Sequence, residues 1–477
     1  MKRLLQILLF ITAALSMAGT AGAQAAGTLK MPAYKKTRLK NGMTLLLMER
    51  HSVPLIGFQV IVRAGSAGDP EHKEGAAFMA ASLLRKGTKT RNAEQFAAEL
   101  DFIGGTFSSF ANADSSEIAA EFVAKDAAKG LDLLSEALLH PAFPQDEFNK
   151  LLKQRIDGLK AAKDQAQGVI GAYYNAYLFG RHPYARPTTG DENSLAAITR
   201  DDAQKFYQAY YTPANTILAV AGDFSTADME KMVAQKFEGW AARPAPAISV
   251  PEPAPVTGKR LLLIDKPDST QTYFRIGNIG ITRTNPDRLY IEVVNTLFGG
   301  RFTSMINSEL RIKSGLTYGA SSFFDRRKVR GPFAIATFTK NATTIQAIDK
   351  TLEVLRSLHE KSVTAEDLQS AKNYILGQFP PTVETSQQLA GLMAELEFYG
   401  LDDREINDMT AKINAMTLAD AKRIIQQYYP QENLVFVLIG KASEIGDAVK
   451  KYASKMEVRS INDPGFGSYA ASEGPYH

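Results

Sequence analysis

The chain has 477 residues, with 55 Lys and Arg against 51 Asp and Glu, and no Cys. Such a length can build two ordinary domains, each around its own core. The absence of Cys excludes disulfides and thiol catalysis, and a formal charge of +4 gives no ground for a nucleic-acid partner.

Lys2 and Arg3 precede the apolar run Leu4–Met17, and the small residues Ala21, Gly22 and Ala23 follow it. A basic start, an apolar centre and a small-residue site form a secretory signal, assigned to residues 1–25. The apolar run is short for a spanning helix, and no later stretch is long and apolar enough to cross a bilayer, so no membrane span is expected after cleavage. The form of the signal suits the bacterial periplasm and leaves full secretion open.

Residues 26–240 are read as one domain. Ile56, Phe58, Val60 and Val62 recur at every second residue, the pattern of a half-buried strand. Asn92 and Gln95 form a capping box ahead of Phe96, Leu100 and Ile103, which predicts a helix starting at residue 93. Between Ala241 and Lys259 the chain reads AARPAPAISVPEPAPVTGK. Its prolines forbid helix and favour an extended interdomain linker over 241–259.

A second domain is expected over 260–459. Leu289, Tyr290, Val293, Val294 and Leu297 share one helical face. The two domains resemble each other. LLLME (Leu45–Glu49) is matched by LLLID (Leu261–Asp265). Tyr210 and Tyr428, Asn215 and Asn433, and Gly222 and Gly440 all lie 218 residues apart. This spacing is the mark of an internal duplication, with two halves able to rock about the linker as a clamshell. Strand clusters grouped with long helices predict an α+β fold: two sandwiches, each a mostly antiparallel sheet with helices on one face. The polar, Gly-rich segment 460–477 reads as a disordered tail.

Four stretches carry a family resemblance. They are GAAFMAASLLRKGT (Gly75–Thr88), HPYARPTTG (His182–Gly190), YYTPANTILAVAGDF (Tyr210–Phe224) and FGGRFTSMINSELRIKSGLTYGASSFF (Phe298–Phe324). In this order they resemble the M16 family of pitrilysin, insulinase and mitochondrial processing peptidase. The resemblance implies two homologous domains of the LuxS-like metallohydrolase type. In that family the first stretch carries His-x-x-Glu-His, which grips zinc and activates water. Here Phe78 stands at the first His, Ala81 at the Glu and Ser82 at the second His. The third ligand, a Glu from a later helix, is missing from Lys150–Gln165, where Asp157 is the nearest acid to the expected place. The six His residues include no pair at three- or four-residue spacing. No metal or other cofactor is therefore expected on this chain.

The resemblance also implies a role for Arg311 and Tyr318, the family's substrate-binding Arg/Tyr pair. Arg offers a fixed fork of donors and Tyr a hydroxyl for a developing oxyanion. Read from the residues alone, Arg311 is a surface ion-pair former and Tyr318 a core side chain. His182, without a partner at metal spacing, reads as a hydrogen-bonded loop residue. Ser108–Phe122 resembles the family's edge strand, open either to an extended peptide or to solvent. The implied function is that of a non-catalytic subunit in a heterodimeric zinc peptidase. Its partner would be a catalytic M16 subunit with intact His-x-x-Glu-His that carries the zinc, and its substrates would be peptides. A periplasmic peptide-binding or scaffold protein without peptidase activity is the alternative.

Overall fold

The computed structural model describes residues 30–467, apart from Ser362. The expected signal, 1–25, lies outside the described residues, as does the end of the tail, 468–477. Two six-stranded sheets organise the chain. The first takes β1 (Lys35–Arg38), β2 (Thr44–Glu49), β3 (Leu55–Val62), β4 (Thr106–Ala111), β5 (Ser116–Val123) and β6 (Thr216–Gly222) in the order β1-β2-β6-β3-β5-β4. The second takes β7 (Arg260–Asp265), β8 (Gln271–Ile279), β9 (Ala320–Phe324), β10 (Pro332–Lys340), β11 (Val435–Gly440) and β12 (Lys455–Ser460) in the order β12-β7-β11-β8-β10-β9. Residues 241–259 carry neither helix nor strand.

The duplicated sequence gives duplicated pairing. Leu45 sits opposite Leu218 in the first sheet, and Leu261 opposite Phe436 in the second. Glu49 meets Gly222 as Asp265 meets Gly440. The outermost strand breaks the repeat. β1 comes before β2 in the chain and pairs with it antiparallel, whereas β12 comes from the end of the chain and runs parallel to β7. The fold is α+β, and both sheets are mixed, with antiparallel pairs in the majority.

Each sheet buries one face under helices of its own half. In the second half Phe274, Ile276, Phe333 and Phe436 pack with Leu289, Val293, Ile348 and Ile424. The opposite face is covered by a helix of the other half. Four helices position the regions of interest: α1 (Ala76–Leu83), α2 (Gln145–Asp164), α3 (Ala166–Phe179) and α4 (Ser386–Tyr399). From α4, Leu389, Ala390, Met393 and Ala394 bury against Leu46, Met48, Ile61, Ala219 and Ala221 of the first sheet. In return α3 lies on the second sheet, where the Tyr174 hydroxyl donates to the Phe333 carbonyl at 2.6 Å. Two glycines admit these crossings. A Cβ on Gly57 would stand 2.6 Å from Gln387 Cα, and one on Gly277 would stand 2.4 Å from the Tyr174 hydroxyl.

This exchange corrects two expectations. β3 is not half-buried: Ile56 to Val62 are buried on both faces, because α4 covers the side that would meet solvent. A free clamshell motion does not fit either, since opening the halves would pull α3 and α4 out of buried cores. The start of the tail, 460–467, is a third correction. Ser460 ends β12, and Ile461 and Phe466 are buried. The Phe466 ring meets Tyr173 edge-on with centroids 4.9 Å apart, and Lys163 Nζ donates to the Asp463 carbonyl at 2.8 Å. Two apolar anchors hold a segment whose average polarity suggested disorder.

The exchange makes the halves energetically interdependent. Met393→Ala in α4 is expected to destabilise the protein by about 2–5 kcal/mol. It should also speed amide hydrogen exchange in β6, a strand of the opposite half. Faster exchange confined to residues beyond 260 would contradict the exchanged-helix account.

Candidate functional site

The stretch around α1 keeps a precise frame. Gly75 adopts a left-handed conformation (φ +102°) at the helix start and leaves its backbone close to Gly190. The Asp69 carboxylate oxygens accept from Gly75 N–H and Ala77 N–H, each at 2.8 Å, and so cap the helix from a distance in sequence. Burial pushes the Asp69 carboxyl up to about 8, against the pull of those two N–H donors. The segment His182–Gly190 braces the same region. Arg186 donates to the Asp69 carbonyl at 2.9 Å, and the Tyr184 hydroxyl donates to Asp114 at 2.7 Å. His182 Nε2 donates to the Pro251 carbonyl at 2.8 Å while Nδ1 accepts from Tyr184 N–H at 3.0 Å, so it is a hydrogen-bonded loop residue.

The face of α1 that would hold a metal offers none of the required donors. Phe78 is half-buried and Ala81 fully buried, and Ser82 is half-buried beside them. The Ala81 carbonyl accepts from the Ser109 hydroxyl of edge strand β4 at 2.8 Å. Opposite them, α2 presents Arg155. Its guanidinium lies 5.8 Å from the centre of the Phe78 ring and is forked onto Thr189. Asp157, the acid nearest the expected third ligand, is exposed and bridged to Lys153 at 2.6 Å. Among the described residues, no three His, Asp or Glu side chains cluster as a metal set. A phenyl ring, a methyl group and a guanidinium do not fit a zinc ion, because a fixed positive charge repels it and no ligand set holds it.

Arg311 and Tyr318 lie in the second half, away from α1. Arg311 belongs to an irregular turn, Ser308–Lys313, and its guanidinium sits 4.8 Å from the centre of the exposed Phe302 ring. It lines a cavity of about 540 Å³, which none of Phe78, Ala81 and Ser82 reaches. Tyr318 is 80% exposed and immediately precedes Gly319, which lines the same cavity. Tyr318 is thus no core side chain, and Arg311 stacks on an aromatic ring instead of forming a surface ion pair. Three residues here had no signal in the sequence. Arg155 lay in a stretch read for acids, Arg275 sat in a strand segment without a motif, and Arg301 lay inside the Phe298–Phe324 stretch but was given no role there.

The family model for insulinase (peptidase family M16) matches residues 46–192, and that for the peptidase M16 inactive domain matches residues 197–375. The chain belongs to the M16 family. An uncharacterized zinc protease of Bacillus subtilis is 22% identical over 400 residues, covering 83% of this chain and 96% of the relative. One from Rickettsia bellii is 25% identical over 344 residues, covering 72% of this chain and 82% of the relative. Among solved structures, a peptidase M16 inactive domain from Pseudomonas fluorescens superposes with a TM-score of 0.80 at 25% identity, over 86% of this chain and 98% of its own. A protease from Helicobacter pylori gives 0.79 at 22% identity, over 86% and 99%. The fold is that of M16 proteins, while the metal-binding residues of the family's His-x-x-Glu-His are absent from this M16 chain.

Two outcomes are expected for α1. The purified chain should hold no stoichiometric zinc. The triple variant Phe78→His, Ala81→Glu, Ser82→His should bind zinc only weakly, since the third ligand is missing and Arg155 opposes the ion. Metal analysis that finds tight one-to-one zinc in the triple variant would contradict this. The second outcome concerns Asp69. Its carboxyl is raised in the fold above its unfolded value of 3.8, so its contribution to stability is full at low pH and fades as pH climbs through about 8. Thermal unfolding of the wild type relative to Asp69→Asn should therefore show the wild type losing ground between about pH 4 and about pH 8, then levelling off. A difference that stays flat, or that grows in favour of the wild type, would contradict it.

Proposed function

We propose that this chain is the non-catalytic subunit of a heterodimeric M16 zinc peptidase. In this reading it lends Arg311 and Tyr318 to a metal site carried by a partner with an intact His-x-x-Glu-His helix. The pair acts in peptide degradation or processing, in the periplasm. One contrast carries the reading. The helix of the metal site is kept in a braced frame but filled with Phe78, Ala81 and Ser82 and faced by Arg155, while Arg311 and Tyr318 stay accessible in the other half. Exposed at the edge of an open cavity, the two side chains can reach a peptide held there.

The chemistry of the two side chains suits the role. The guanidinium can fork onto a peptide carbonyl or carboxylate, and the phenol can donate to oxygen as negative charge builds on it. Both donors stand ready without a metal of their own. The zinc, and the water it activates, belong to the partner.

The kinetics of a reconstituted pair test this directly. Arg311→Ala or Tyr318→Phe should lower turnover by ~10²–10³, the usual cost of losing one transition-state donor. Assembly and the partner's zinc content should be unchanged. A higher KM with turnover little altered would make the pair a ground-state clamp. Wild-type turnover and KM in both variants would refute the shared site and favour a scaffold without peptidase activity.

A further inference from the structure

We infer that the cavity beside Arg311 is an anion subsite that receives a carboxylate of a bound peptide through Arg275 and Arg301. The inference deepens the peptide-binding part of the proposed function and rests on it.

Three arginines, Arg275, Arg301 and Arg311, line this cavity of about 540 Å³, and no Asp or Glu does. Among the described residues no carboxylate comes within ion-pair range of any of the three. Asp325, whose charge acts on Arg275, is itself bridged to Arg327 at 2.6 Å. The Nε–H groups of both Arg275 and Arg301 are buried without a hydrogen-bond partner. Neither Nε–H is therefore committed to a protein acceptor, and neither guanidinium is neutralised by an ion pair, which leaves the charge of both available to an anion in the cavity.

The two guanidiniums are also held in position. Arg301 donates to the Ser370 hydroxyl at 2.9 Å and lies over the Tyr374 ring. Arg275 lies 5.3 Å from the centre of the Phe323 ring, and burial disfavours its charged form. Fixed, partly desolvated arginines bind a planar anion with little rearrangement. The stacked rings of Tyr273 and Phe338 add an apolar wall that suits the methylenes of an acidic side chain. Edge strand β9 borders the cavity through Ser321, so an extended peptide running along it could deliver a Glu, an Asp or its own C-terminus to the arginines. The exchanged helix α3 closes one side through Gln167 and Ile170, so both halves build the subsite.

Calorimetric titration of the full chain with matched short peptides decides the matter. One pair differs only as Glu against Gln, and each member is made with a free and with an amidated C-terminus. A carboxylate subsite predicts binding weaker by about 10–100-fold when the recognised carboxylate is neutralised. Sensitivity to Glu against Gln assigns it to a side chain, and sensitivity to amidation assigns it to the C-terminus. Arg301→Gln should abolish the discrimination and Arg301→Lys should keep part of it. Ser370→Ala, which removes only the anchor of Arg301, should weaken it should the Arg301→Gln protein fail to fold. Equal binding of all four peptides, or unchanged discrimination in Arg301→Gln, overturns the subsite and leaves the shared-site reading intact. No binding by any of them also overturns the subsite, and the kinetics of the Arg311 and Tyr318 variants then decide separately on the shared site.

Discussion

Each sheet of this protein is closed on its second face by a helix from the other half, and most of the structure depends on that exchange. A sheet with two apolar faces must bury both. The first sheet does so with Met393 and its neighbours on α4, the second with Tyr174 and Tyr177 on α3. The linker over 241–259 therefore does not set the relation between the halves. Two buried cores do, and Gly57 and Gly277 let the helices approach closely enough to form them. The same crossing brings α3 to the wall of the arginine-lined cavity, so the geometry of that cavity is fixed by the fold as a whole.

Helix α1 holds its frame for a reason independent of metal. Ala76, Ala77, Met79, Ala80 and Leu83 are core residues, and Asp69 satisfies two N–H groups at the helix start. Phe78 packs against the same core, and the Arg155 guanidinium lies over its ring. Frame and chemistry are separable in this fold.

Local signals were legible in the sequence. The Asn92–Gln95 capping box starts a helix at Ala93, and the offset of 218 residues between the Asn215 and Asn433 regions reappears as equivalent strand register. The identities of Phe78, Ala81 and Ser82 sufficed to exclude the usual ligands. Long-range features were not legible. The alternation in β3 reported one apolar face correctly but could not show that α4, more than 300 residues later, covers the other. Arg155, Arg275 and Arg301 acquire meaning only from their surroundings: a phenyl ring, a cavity without acids, an unpaired N–H. Composition misjudged residues 461–467 because Ile461 and Phe466 hold them, and an average over polar neighbours hides two anchors.

The proposed shared site makes catalysis depend on two chains, this one and a zinc-bearing M16 chain. Titrating this chain into a fixed amount of that proposed partner, with peptide hydrolysis as the readout, tests it. Expected are no activity from either chain alone and a linear rise that saturates at one copy of each. Full hydrolysis by the partner alone, unaffected by any amount of this chain, would contradict it.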